Sequence, residues 1–235
     1  EDAVKEANLV VIAIKLDSMA SMISKIAPLL NSGSTLLEIA SIKSPVIRSL
    51  KKLSSRKIET LSIHPLFGPG LPENEKIKLA LVGVNDLDVE MQRARSIFPK
   101  SEIEITSVEV HDKVMAYSLS LTYFLNIAFA AAITNSDIPE LKRLSGTTLT
   151  VQLPLAEAVL HSGDILQSVT NLNPFSNKIL SDFMDKMKSL LQIVKKGGPE
   201  LFEEIAEIKS GLELDPDFET AYERTYKMYL ALMKK

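Results

Sequence analysis

The chain has 235 residues, 46% hydrophobic and 24% charged, with a formal net charge of -3: apolar material for one large or two small globular domains, and no basic field to hold a nucleic-acid backbone. It has no cysteine and only three scattered histidines, which excludes disulfides and thiolate metal sites and argues against a bound metal. No apolar run approaches the roughly 18 residues of a membrane span, and Glu1–Lys5 lacks signal-peptide character. A soluble cytoplasmic protein is expected, with neither nucleic acid nor membrane as partner.

Leu9–Ile14 is a short, continuous apolar run rich in β-branched residues, the pattern of a parallel strand buried on both faces. Asp17 or Ser18 then caps a helix carrying Met19, Met22, Ile23, Ile26 and Leu30 at helical spacing, and Asn31–Gly33 stops it. The alternation continues with a strand over Thr35–Ile39, a helix over Pro45–Leu53 and a strand over Ile58–Ile63. Beyond a Pro/Gly-rich loop come a strand over Leu79–Val84, a helix over Val89–Phe98 and an edge strand over Glu102–Ile105. Strands alternating with helices predict a doubly wound α/β layer of the Rossmann type with a parallel sheet, ending near Thr106. The layer is incomplete at its start: no strand, G-x-G-x-x-G turn and helix precede Leu9, so the chain is read as a piece of a longer protein that binds a dinucleotide weakly by itself.

The stretch His64–Gly70, His-Pro-Leu-Phe-Gly-Pro-Gly, packs two prolines and two glycines into a segment that fits neither helix nor sheet interior. It places His64 at a strand's carboxyl end, the edge where open α/β sheets bind ligands, and an imidazole suits general-base work near neutrality. A packed histidine in a Pro-rich turn is the competing reading. From Val108 the pattern turns helical: Val110, Val114, Tyr117, Leu121, Phe124, Leu125 and Ala128 mark one long helix to about Thr134, followed by helices over Leu149–Leu160, Ile179–Val194, Glu200–Ser210 and Phe218–Met233. This gives two domains, residues 1–106 nucleotide-binding and 107–235 all-α. The second has more apolar stripes than a small bundle buries, which predicts a homodimer through it.

Three stretches in order resemble the prephenate dehydrogenase family of tyrosine biosynthesis: Glu38–Lys43, similar to the family's Asp-x-x-Ser-Val-Lys; Ser62–Pro69, close to its His-Pro-x-Phe-Gly-Pro motif; and His111–Tyr117, opening the helical part. The resemblance covers nearly the whole chain and implies an oxidoreductase that decarboxylates prephenate, or the related arogenate, with NAD or NADP. Position by position it implies His64 as the base that accepts the substrate's hydroxyl proton, and Ser41 as the serine bonding both that histidine and the substrate. Read without the resemblance, Ser41 is a helix cap before Pro45. Ala13, Ile14 and Lys15 are expected on the nicotinamide side together with Ser41, and Gly68 and Lys43 at the substrate. Tyr123 and Gln152 stand where the family often has a substrate-binding histidine and arginine. His111 and His161 are expected to serve local stability. Another dehydrogenase of the same two-domain superfamily and a non-catalytic dimeric module remain open; the Pro-rich loop argues against the first, and the absent glycine motif favours the second for the chain as given.

Overall fold

The computed structural model describes residues 2–234. After a short helix α1 (Asp2–Lys5), the order is β1 (Leu9–Ile12), α2 (Leu16–Ile26), β2 (Thr35–Glu38), α3 (Ser44–Lys51), β3 (Glu59–Pro65), β4 (Lys78–Val82), α4 (Leu87–Ile97) and β5 (Glu102–Thr106). The strands form one five-stranded sheet in the order β1-β2-β3-β4-β5. The sheet is not wholly parallel as expected: β3 and β4 pair antiparallel, with His64 opposite Ala80, and the other neighbouring strands run parallel. A parallel return needs a crossover, usually a helix, and the Pro/Gly-rich segment between Pro65 and Lys78 contains none, so β4 comes back as the second arm of a long-looped hairpin.

Strand alternation distributes the core. Leu36 packs with Ile12, Met19, Ile23, Val46 and Leu50 on the face covered by α2 and α3, whereas Leu37, Leu61, Ile63, Leu79 and Leu81 pack with Ala94 of α4 on the other. The helix starts are corrected in detail. Neither Asp17 nor Ser18 caps α2, whose N-cap position is Lys15, and Ser41 does not cap α3, whose N-cap position is Lys43. Asp86 does cap α4, accepting from the backbone N–H groups of Asp88 and Val89.

The long helix appears as α5 (Val108–Met115), a π-helical stretch Ala116–Leu121 and α6 (Thr122–Ile133). Its start is fixed by Ser107, which accepts from the Val110 N–H. By length and composition, with a hydropathy of 1.5 over its most apolar window, Val108–Ile133 meets the measure of a membrane span that the sequence reading denied to every segment. His111, Asp112, Ser120 and Asn126 of this helix are buried, although only 17% of its most apolar window is. The remaining helices are α7 (Ile138–Leu144), α8 (Thr147–Leu160), α9 (Gly163–Leu172), α10 (Ser176–Lys196), α11 (Pro199–Leu212) and α12 (Ala221–Met233), of which the periodicity had not marked α7 and α9.

By compactness the chain divides into two units. The first takes the sheet layer through Ser120 and adds Gln167–Asn177; the second is Leu121–Leu166 with the residues from Lys178 on. In the first, Val169 of the added segment packs with Ile42 and Met115, and Asn173 Nδ2 donates to the Asp112 carbonyl at 2.7 Å. In the second, α8 packs against α6 and α12.

Candidate active site

The residues facing α5 follow from the pleat. Leu61 and Ile63 point to the α4 side, so Ser62 and His64 point to the other, and the parallel register that pairs Glu38 with Ser62 puts Glu38 on their face. All three are buried, and each has found a polar partner, as a buried polar side chain must. Glu38 accepts from Ser62 Oγ, from the Ala40 N–H at 2.7 Å and from Lys43 Nζ at 2.8 Å. Neither Lys43 nor Glu38 has any side-chain exposure, so their ion pair is fully desolvated.

His64 meets α5. Its Nδ1 lies 3.1 Å from His111 Nε2, the rings set edge to face, and His111 Nδ1 lies 2.8 Å from Asp112 Oδ1. Asp112 also caps α3 from outside that helix: Oδ1 accepts from the Lys43 N–H and Oδ2 from the Ser44 N–H, each at 2.8 Å, and Oδ2 accepts from Ser44 Oγ as well. These bonds order the protons along the chain. A carboxylate only accepts, so His111 carries its proton on Nδ1; a neutral His111 then accepts at Nε2, and His64 donates from Nδ1. That leaves His64 Nε2 as the unprotonated nitrogen, with no hydrogen-bond partner among the described residues.

The electrostatics favour this neutral form. Burial, then the Lys43 charge and then His111 push the His64 pKa down to about 3, against an upward pull from Asp112. Burial likewise lowers the Lys43 ammonium, with Glu38 and, behind it, Asp112 opposing. Burial would raise the Asp112 carboxyl, but the hydrogen bonds from His111, Lys43 and Ser44 outweigh it and hold the group below the usual carboxylate range.

Of the residues singled out in the sequence, His64 and Lys43 come close enough for the Lys43 charge to act on the ring, and Ser41 lies in the same unit; none has the partner expected. Ser41 lies in a bend after β2 and makes no side-chain hydrogen bond among the described residues; the nitrogen of His64 that is engaged is held by His111. Lys43 is buried beneath the site rather than exposed to a ligand. Gly68 lies exposed in the β3–β4 loop, with nothing within 4 Å of where a Cβ would stand, so space does not demand glycine there. Ala13, Ile14 and Lys15 are exposed between β1 and α2. Tyr123 and Gln152 belong to the second unit, where Gln152 Nε2 donates to the buried Asn126 Oδ1 at 2.7 Å and Asn126 Nδ2 to the Thr122 carbonyl at 2.8 Å. A cavity of about 200 Å³, lined by Glu59, Thr60, Asn85 and Arg93 among others, sits at the amino end of β3 and holds none of these residues.

His111, Asp112, Glu38 and Asn126 are the residues whose part the sequence reading missed. His111 is not only a helix-opening residue: its ring contacts His64 directly. The adjacent pair His111-Asp112 beside a motif histidine was the available signal; Asn126 had none.

The chain resembles known proteins in sequence and in fold. Residues 1–79, which include β3 and His64, match the model of the prephenate dehydrogenase nucleotide-binding domain. A probable arogenate/prephenate dehydrogenase of Methanocaldococcus jannaschii is 23% identical over 211 residues, covering 87% of this chain and 47% of that protein; the chain thus spans about half the length of the curated relative it matches. Among solved structures, Synechocystis arogenate dehydrogenase superposes with a TM-score of 0.64 at 15% identity, over 90% of this chain and 80% of that one. The prephenate dehydrogenase of Aquifex aeolicus, in complex with hydroxyphenyl propionate and NAD+, does so with a TM-score of 0.66 at 18% identity, over 88% and 77%. At these identities the superpositions speak for the fold.

Proposed function

We propose, from the premise that family model, curated relative and structural neighbours all point to the prephenate/arogenate dehydrogenase family, that this chain takes part in the oxidative decarboxylation of prephenate to 4-hydroxyphenylpyruvate with NAD or NADP. The observation that carries the reading is His64. It is buried at the carboxyl end of β3 within the matched segment, with Nδ1 engaged and Nε2 left as a lone-pair acceptor.

The exposed residues Ala13–Lys15, between the end of β1 and the start of α2, fit the nicotinamide side of a dinucleotide, because the backbone there is open at the sheet's carboxyl edge. A nicotinamide held there supplies the hydride-accepting carbon. His64 Nε2 would take the proton of the ring hydroxyl as the substrate carbon bearing that hydroxyl gives up its hydride, and the ring carboxylate leaves as carbon dioxide, so the ring becomes aromatic. The half-buried Ser41 and the exposed Gly68 serve the substrate from the loops at this edge, and Tyr123 and Gln152 are the substrate-binding candidates of the second unit. Lys43 is fully buried and paired with Glu38, so it supports the site from beneath and is not a substrate ligand. Two domains, 1–106 for the cofactor and 107–235 for substrate and pairing, remain our functional division. The working form is a homodimer: Phe202, Leu214 and Tyr222 in the helical region are 73%, 87% and 84% exposed, and a symmetric pair is the commonest cover for such surface.

The test is turnover by the protein expressed from its complete reading frame, with prephenate or arogenate and NAD or NADP, followed by reduced-cofactor absorbance. Prephenate-dependent reduction is expected. Its absence with either substrate, in a sample that is folded by circular dichroism, would overturn the proposal.

A further inference from the structure

We propose that His111 and Asp112 form a proton relay behind His64: His111 holds His64 with its proton on Nδ1, and receives that proton when Nε2 is protonated by substrate. The inference rests on the dehydrogenase reading above for the identity of the proton donor, but its geometry stands without it.

The argument runs inward from the carboxylate. Asp112 is held by two backbone N–H groups and the Ser44 hydroxyl, so it is fixed as an acceptor before any imidazole is considered. His111 must then present Nδ1–H to Asp112 and a bare Nε2 to His64. Free imidazole has no such constraint, and here it selects the one His64 tautomer whose Nε2 is a base.

The same contacts decide where a positive charge rests. The groups facing the two rings are Lys43 at the start of α3, Glu38 on β2 and Asp112 on α5. Lys43, although paired with Glu38, still opposes charge on His64, whereas an imidazolium at His111 would lie directly against the Asp112 carboxylate. In the relay the hydroxyl proton bonds to His64 Nε2, the Nδ1–H bond of His64 breaks, and that proton bonds to His111 Nε2. His64 is then neutral with its proton on Nε2, and His111 is an imidazolium whose Nδ1–H rests on the Asp112 carboxylate. Reset reverses the inner transfer and returns the Nε2 proton to the oxygen of the aromatised product, whose phenol keeps it, so no net proton is released. No oxidant is involved beyond the nicotinamide of the reaction itself. His111 is a positioning residue here, because it acts through His64 and touches no substrate.

The experiment pairs a spectroscopic readout with a kinetic one. Long-range ¹H–¹⁵N imidazole spectra of the full-length protein at pH 7 should show His64 protonated at Nδ1 and bare at Nε2. In His111→Phe, which keeps the aromatic shape and removes both nitrogens, His64 should move to the Nε2–H form, with kcat down on the order of 100-fold and KM within about threefold. His111→Gln, whose amide oxygen can still accept from Nδ1 but cannot hold the proton, should keep the tautomer and still lose kcat. It also stands in if the phenylalanine variant fails to fold. A wild-type His64 protonated at Nε2 overturns the relay whatever substrate the enzyme uses. The expected tautomer with full kcat in both variants overturns the proton transfer and leaves the dehydrogenase reading intact. A protein inert toward prephenate sinks that reading instead, and the tautomer still decides the relay's geometry.

Discussion

Lowering the pH should destabilise the first unit through a single ring. Folding moves the His64 pKa from 6.5 to about 3, so the unfolded chain binds a proton that the folded chain refuses throughout that interval. A depressed histidine contributes stability that is present above the unfolded pKa and is lost as pH falls towards the folded one; the sign is therefore destabilising on acidification. At about 1.4 kcal/mol per unit, the loss from this residue is about 2 kcal/mol between pH 7.5 and 5, and about 4 kcal/mol once pH reaches the folded value. His64→Asn has no ring to titrate, so the stability difference between wild type and variant should shrink by that 2 kcal/mol over the same range, whatever its size at neutral pH. Two units need not unfold together, so the assay is urea-dependent amide exchange at Leu37, Leu61 and Ile63, which sit in the core of the first. Equal pH slopes in the two proteins would show that His64 titrates normally and that its burial here is wrong. The same shift moves the acid limb of kcat well below pH 6.5, where an unperturbed histidine would put it.

Removing the Asp112 carboxylate with Asp112→Ala should lower stability by about 2 to 4 kcal/mol, read by urea titration, since the Lys43 and Ser44 N–H groups lose their acceptor; a change under 0.5 kcal/mol would contradict the capping described. Glu38→Gln should cost about 3 to 5 kcal/mol by leaving the Lys43 ammonium buried without its partner, and adding Lys43→Met should recover most of it. If the double variant is no more stable than the single, the ion pair is not what Glu38 provides. Sedimentation of the 235-residue chain at micromolar concentration should give a dimer, and a stable monomer would remove that part of the proposal.

The strands and their buried faces were legible because each is a local apolar run, and the boundaries that moved did so by one or two residues, as at β1, which ends at Ile12 rather than Ile14. The direction of β4 was not legible as read, although the loop that decides it was in plain sight: twelve residues with two prolines and no helix make a hairpin more readily than a crossover. His64 could be found from its motif. Its partners could not, because periodicity says nothing of which residues meet across 47 positions, the separation of His64 and His111, or across 69, that of Lys43 and Asp112. Lys43 was expected at the substrate, and its burial was missed, for a related reason. A lysine at a helix start is usually solvated, and only the tertiary fold reveals a carboxylate five residues back that lets it be buried.

The charges of the buried cluster have one further consequence. Lys43 and Glu38 form one ion pair, and the relay proposed above starts with both imidazoles neutral, which leaves the Asp112 carboxylate as one net negative charge. A cluster in that state is one proton short of neutrality. Acquiring a proton during turnover therefore removes a buried net charge instead of creating one, which is the reverse of what an isolated buried histidine would experience. A base that is so hard to protonate by itself can still serve, provided that the proton it receives is balanced next door. This makes Asp112 the residue on which the basicity of the whole chain turns. Asp112→Asn keeps the size but removes the charge, so it should impair proton uptake more than it impairs folding. Its amide nitrogen cannot accept where a carboxylate oxygen did, so stability falls as well; a kcat loss at least tenfold greater than its effect on KM, in a variant folded by circular dichroism at the assay temperature, is the expected result, and wild-type kcat would show that the negative charge is not what lets His64 act as a base.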